Sequence, residues 1–194
     1  MQFSGTKDAM AIKEYHDWIK GRFRQFEQGQ SKENPELEIF PLGDDMQTLV
    51  GVIIGPPGTI WEKAALTVAI HFRNSDHKSP PVCLFSPKIF HPNVAWTSST
   101  LCLEGEICLN MIKQNWTPMY SLEGILVAFR DLLESPNCDS PLNNHAAEYY
   151  SKNRALYIQK VNANIDEILL LPFEQRLEGI TELISKLDSK KKVN

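Results

Sequence analysis

Four short apolar runs follow one another early in the chain: LEIFPL (37–42), TLVGVIIG (48–55), ALTVAIHF (65–72) and PVCLFS (81–86). Runs of this length rich in Val, Ile, Phe and Leu read as strands. The connections between them, GDDM, PPGTIWEK and RNSDHKSP, are short. They suit antiparallel neighbours, because a parallel pair needs a crossover of about a dozen residues or more. The simplest arrangement is a four-stranded antiparallel meander.

Helical periodicity brackets the strands. MAIKEYHDWIKGRFRQFEQ (10–28) spaces Ile12, Tyr15, Ile19, Phe23 and Phe26 at steps of three and four, with Gly29 and Pro35 as breakers beyond it. SLEGILVAFRDLLES (121–135) puts Leu122, Ile125, Leu126, Phe129, Leu132 and Leu133 on one broad apolar face, with Ser121 placed to cap it. After the breaker PNCDSPLN, residues 144–170 are helix-compatible, and a last segment from near Pro172 aligns Phe173, Leu177, Ile180, Ile184 and Leu187. Helix, sheet, irregular stretch, then helices make an α+β chain. A length of 194 residues supports one domain with a substantial core and leaves two cramped.

The bulk properties narrow the function. A net charge of −4, with no basic cluster beyond the terminal SKKKVN, gives no electrostatic case for nucleic acid. No apolar run approaches membrane-spanning length, and no signal or lipidation motif is present, so membrane insertion is not expected. Four irregularly spaced cysteines (Cys83, Cys102, Cys108 and Cys138) make no disulfide framework, and reduced thiols in a cytoplasmic or nuclear protein are expected. GPPGT (55–59) lacks the Gly-Lys-Ser/Thr ending of a phosphate loop, and its prolines remove amide donors, so it reads as a rigid turn. Neither a zinc knuckle nor a Cys-x-x-Cys redox pair can be built from Cys102 and Cys108, so no metal is expected. No Gly-x-Ser-x-Gly elbow occurs.

Residues 87–120 carry no strand signal but hold three prolines, Trp96, Trp116 and both Cys102 and Cys108. A loop this long inside a domain is usually functional or disordered, and its aromatic and apolar content argues for order.

Three segments around that stretch, KIFHPNV (88–94), GEICLNMIKQNWTP (105–118) and LLESPNCDSPLN (132–143), carry a family resemblance. In this order they resemble the His-Pro-Asn motif, the Cys-Leu active site with its Trp-x-Pro loop, and the Pro-Asn-x-x-x-Pro-Leu gate of ubiquitin-conjugating enzymes. PLGDDM and GPPGTIWE resemble that family's first hairpin and its Gly-Pro turn. The resemblance covers residues 10–168, leaving 169–194 as a C-terminal helical extension with a basic tail. It implies an N-terminal helix, a four-stranded meander and C-terminal helices.

The resemblance also implies a transferase that works by transthiolation. A cysteine takes ubiquitin or a ubiquitin-like modifier from an activating enzyme as a thioester, then passes it to a substrate lysine, usually with a ubiquitin ligase. Cysteine suits the task, being nucleophilic and partly ionised near neutral pH. No cofactor is needed here, since ATP is consumed by the activating enzyme. The expected partners are the modifier, the activating enzyme, a ligase and protein substrates.

Family spacing counted forward from Asn93 favours Cys102, and counted back from Trp116 it favours Cys108. GEICLN matches the family's Gly-x-Ile/Val-Cys-Leu and stays colinear into the gate, whereas STLCLE does not. Cys108 is therefore the expected nucleophile, and the segment 95–104 (AWTSSTLCLE) holds an insertion. By analogy Asn93 donates its amide toward the developing oxyanion or braces the cysteine loop, and a purely structural asparagine stays open. His91 is expected to tie the turn together, with Pro92 and Trp116 as further structural neighbours of the site.

Ser140 holds the gate position where many relatives carry Asp, so the resemblance implies that lysine activation is weaker or borrows Asp139 or a ligase. Leu109 and Asn110 shape the groove for the modifier's tail. Pro118 and Met119 are candidate ligase-docking residues, and Lys78 alters the usual ligase surface. Trp96 either folds back over the site or meets a partner. The extension either packs on the domain or folds on a partner, Gly179 lowering its helix propensity by about 1 kcal/mol. The alternative to an enzyme is a non-catalytic adaptor of the same fold that binds modifiers or ligases.

Overall fold

The computed structural model describes residues 37–43, 47–73, 79–107 and 122–191, and the helix expected over 10–28 lies outside them. Strands β1 (Leu37–Pro41), β2 (Thr48–Ile54), β3 (Ala65–His71) and β4 (Val82–Phe85) form one antiparallel sheet in chain order. The meander read from the four apolar runs is the observed topology. Its register sets Gly51 opposite Val68 and Val68 opposite Phe85.

Both faces of this sheet are covered, and every residue of β2, β3 and β4 is buried. Uninterrupted apolar strands are what two covered faces require. Leu49, Ile53, Leu66, Val68, Ile70, Cys83 and Phe85 point to one side. There they share a core with Ile125, Leu126, Phe129, Leu132 and Leu133 of α1 (Leu122–Glu134) and with Tyr157, Val161, Ile165 and Ile168 of α3 (Arg154–Leu170). Val50, Val52, Ile54, Ala65, Ala69 and Leu84, with Phe40 of β1, face the other way. That second face is capped by Phe173, Ile180 and Leu183 of α4 (Phe173–Lys191), so the C-terminal extension lies on the sheet.

The helix-compatible stretch 144–170 is two helices, α2 (Asn144–Lys152) and α3, because Asn153 interrupts it. The Asn153 carboxamide accepts from Leu156 N while its own N–H goes back to Tyr149 O, so one residue ends one helix and caps the next. The turn into α4 is held by Arg176, which is buried and donates to the carbonyls of Ile168 (2.7 Å), Leu171 (3.0 Å) and Ala65 (2.9 Å). A cation at the carbonyl end of α3 also complements that helix's dipole.

Gly179 packs against the residue that follows β4: a Cβ there would lie 3.0 Å from the Ser86 hydroxyl. Its cost in helix propensity is the counterpart of that close approach. On the opposite side, Trp61 is buried in the β2–β3 connection and donates from Nε1 to Leu133 O at 2.9 Å. The GPPGT turn thereby docks on the end of α1.

Candidate active site

The segment Lys88–Asn93 crosses from the sheet to the helices and is fixed at each step. Asn164 of α3 lies on the same stripe as the buried Val161, Ile165 and Ile168, a polar residue in an apolar row. Its side chain accepts from Phe90 N at 2.8 Å and donates to Lys88 O at 3.4 Å.

His91 is fully buried, its ring packed 6.0 Å from that of Trp61. Nδ1 accepts from Asn93 N at 3.1 Å, and the other ring nitrogen lies 3.0 Å from Leu132 O. This pattern assigns the neutral tautomer with hydrogen on Nε2. Burial lowers its pKa from the ordinary 6.5 to about 4, only partly offset by the bond to Leu132 O. The imidazole clamps the turn through these two bonds.

The sign of the pH effect follows. The unfolded chain takes up a proton on His91 below pH 6.5 and the native state does not until about pH 4. The stability held above pH 6.5 is therefore lost as the pH falls toward 4. Lowering the pH from 7 to 5 is expected to reduce the unfolding free energy by about 2 kcal/mol through this residue. Urea titrations of wild type and His91→Gln at both pH values check it, since the variant should lose that increment. An equal pH dependence in the two proteins would contradict the assignment.

Asn93 is buried and paired with the backbone of Asn137 in both directions. Its Nδ2 donates to Asn137 O at 2.7 Å, and its Oδ1 accepts from Asn137 N at 2.8 Å. Pro92 O accepts from the amides of Leu142 and Asn143 at 2.8 and 2.9 Å. The His-Pro-Asn turn and the gate segment are thus stapled together at two points. The second Nδ2 hydrogen of Asn93 is not used by this pairing. In the gate, Asn137 Oδ1 accepts from Asp139 N, and both Asp139 and Ser140 are exposed.

Beyond Asn93 the chain makes a hairpin. Val94 bridges Ile107, Ala95 N donates to Glu106 O at 2.9 Å, and Gly105 N returns to Ala95 O at 2.7 Å. The returning arm lies along β4 as a partial fifth strand, with Phe85 N donating to Gly105 O and Ile107 N to Cys83 O. Gly105 has φ +78°, and a Cβ there would overlap the Phe85 carbonyl. Only glycine fits both demands.

Segment 95–104, where an insertion was expected, is therefore the closed end of this hairpin. Trp96 is half-buried, edge-on to Phe90 at 5.4 Å and beneath the Lys88 ammonium at 4.8 Å, so it folds back onto the Lys88–Asn93 segment. Lys88 also pairs with Glu104 at 2.9 Å. Ser99 organises the tip, its hydroxyl accepting from the amides of Leu101 and Cys102. Cys102 is half-buried with Sγ 3.4 Å from that hydroxyl. Cys83 is a buried thiol whose pKa is pushed up by burial first and by the Glu106 charge second, which keeps it inert.

Cys108, Leu109, Asn110, Trp116, Pro118, Met119 and Lys78 lie outside the described residues. What the described residues bring together is the chain that leads up to Cys108: the Val94–Ile107 bridge joins the sequence neighbour of Asn93 to that of Cys108. Gly105, Asn137 and Asn164 complete this framework and were given no role in the sequence. Gly105 and Asn137 stood there only as motif positions, the Gly of GEICL and the Asn of PNCDSPL, and for Asn164 the available signal was an asparagine on an apolar helical stripe. Among the described residues no cluster of His, Cys, Asp and Glu could hold a metal, and no helix is long and apolar enough to cross a membrane.

Comparison with known proteins agrees with this geometry. Residues 22–165 match the ubiquitin-conjugating enzyme family. The chain is 33% identical over 144 residues to ubiquitin-conjugating enzyme E2 2 of Aspergillus fumigatus, covering 74% of this chain and 91% of that one. It is 32% identical over 143 residues to the protein of the same name from Candida albicans, covering 74% and 76%. A crystal structure from Plasmodium yoelii, assigned to the ubiquitin conjugating enzymes, superposes with a TM-score of 0.62 at 26% identity, covering 85% of this chain and 97% of that one. The E2 domain of a Toxoplasma gondii ubiquitin conjugating enzyme gives 0.61 at 26% identity, covering 69% and 88%. The chain belongs to the ubiquitin-conjugating enzyme family.

Proposed function

We propose that this chain accepts ubiquitin or a ubiquitin-like modifier as a thioester on Cys108 and transfers it to lysine. The observation that carries this reading is how the described residues before the cysteine are held. The His91–Asn93 turn is stapled to the gate and bridged to the arm that runs directly into Cys108.

The Cys108 thiolate attacks the carbonyl of the modifier's C-terminal glycine on the activating enzyme. The tetrahedral intermediate collapses with departure of that enzyme's thiolate, so one thioester is exchanged for another. In the second step a lysine amine attacks the same carbonyl, Cys108 leaves as thiolate, and the amine gives up its proton. The unused Nδ2–H of Asn93 is the donor available to the oxyanion in both steps. Ser140 cannot serve as a carboxylate base, so Asp139, exposed one residue away, or a ligase takes the lysine's proton. The partners are the activating enzyme, the modifier, a ligase and protein substrates, met in the cytoplasm or nucleus.

The test is incubation with activating enzyme, ATP and labelled ubiquitin or related modifiers, compared on reducing and non-reducing gels. A thiol-sensitive adduct is expected with at least one modifier. Absence of an adduct from well-folded protein across the modifiers would replace this reading with that of a non-catalytic adaptor.

A further inference from the structure

Helix α4 lies wholly beyond residues 22–165, the part shared with the family. Its first turns cap the sheet, but its last buried residue does something else. Leu187 forms a separate small apolar cluster with Val82 of β4 and Leu103 of the hairpin at 95–104. Leu103 is 2% exposed, whereas Leu101, two residues away at the tip, is 93% exposed. Beside Leu103, Ser98 and Ser99 line a cleft of about 840 Å³ together with Thr181, Ser185 and Ser189 of α4. Leu103 is thus the apolar anchor by which the hairpin meets α4.

The anchor is wired to the site by a short path. Leu103 N donates to Glu106 Oε2 at 2.9 Å, Glu106 bridges Leu84, and Ile107 N is bonded to Cys83 O. The next residue is Cys108. Two expected departures from the family pattern, the hairpin at 95–104 and the added helix, therefore meet in one apolar cluster beside the arm that leads to the cysteine.

We propose that α4 is a positioning element for Cys108, acting through the Leu187–Leu103 contact. The proposal rests on the reading of Cys108 as nucleophile, and α4 itself touches no reacting atom. Loss of Leu187 frees the hairpin to shift the Gly105–Ile107 arm. Small displacements of a reacting group are expensive in rate. Burial alone predicts a stability loss for any of the large residues along α4, but a kinetic effect only where the hairpin is held.

The experiment uses the full chain and compares Leu187→Ala with Leu183→Ala, which removes a buried leucine of the same helix that packs on the sheet. Two readouts are taken on folded protein. One is the kcat and KM of modifier transfer from the activating enzyme. The other is the rate and pH profile of Cys108 alkylation by iodoacetamide, read by peptide mass. Leu187→Ala is expected to lower kcat about tenfold with KM unchanged and to shift the alkylation profile. Leu187→Met should restore both, and Leu183→Ala should leave both at the wild-type values. Should Leu187→Ala fail to fold, Leu103→Ala removes the other side of the contact and carries the same expectation. Equal kinetic losses in Leu187→Ala and Leu183→Ala, or wild-type kinetics and alkylation in Leu187→Ala, would overturn the proposal. If the wild-type chain forms no adduct at all, that failure belongs to the thioester reading, and the alkylation series alone decides the positioning role.

Discussion

Gly105→Ala is expected to lower stability by about 3 kcal/mol and to suppress modifier charging by at least about a hundredfold. Two penalties combine. The residue sits at φ +78°, where an L side chain costs about 1–2 kcal/mol. Its Cβ would also overlap the carbonyl of Phe85, which is backbone and cannot swing away. The strand arm must then leave β4, giving up the bonds from Phe85 N to Gly105 O and from Gly105 N to Ala95 O. That arm runs into Cys108, so stability and chemistry fail together. Thermal unfolding and a charging assay on the same preparation check both. A variant as stable and as active as the wild type would show that the Gly105 turn is not what holds the arm.

Asn93→Ala should separate the two effects. The substitution leaves the N–H and carbonyl of Asn137 without their carboxamide partner, a loss of about 1–3 kcal/mol. The rate of thioester formation by the remaining folded protein is expected to fall by about a hundred- to a thousandfold, the usual effect of losing one oxyanion donor. Asn93→Asp keeps an acceptor for Asn137 N but sets a carboxylate oxygen against Asn137 O in a buried site, so it should lose at least as much stability as Asn93→Ala and show equally little activity. Stability lost with a folded-state rate within twofold of wild type would make Asn93 a brace and nothing more.

The meander was legible because each strand is a short apolar run between breakers, and α1 because its leucines repeat at helical spacing. The partner of the sheet's second face was not legible. The stripe of Phe173, Ile180 and Leu187 says that a helix must bury one side, but periodicity carries no information about which surface receives it. The uninterrupted TLVGVII and ALTVAIH runs were the hint that the sheet has two covered faces. The break at Asn153 was missed because a strong helical pattern on both sides outweighed one capping residue. In the site, the His91-Pro92-Asn93 motif stood out by its residues. The Asn137 backbone pairs with the Asn93 side chain 44 positions away, and the Asn164 side chain with the Phe90 amide 74 positions away, contacts that only the fold creates.

The central claim is that Cys108, and not the look-alike Cys102, carries the modifier. Cys108→Ser and Cys102→Ser, each charged with activating enzyme, ATP and the cognate modifier, test it directly. Cys102→Ser is expected to give the wild-type adduct, removed by thiol. Cys108→Ser is expected to give either no adduct or one that survives thiol, because a serine ester replaces the thioester. A thiol-sensitive adduct that persists in Cys108→Ser and disappears in Cys102→Ser would contradict it.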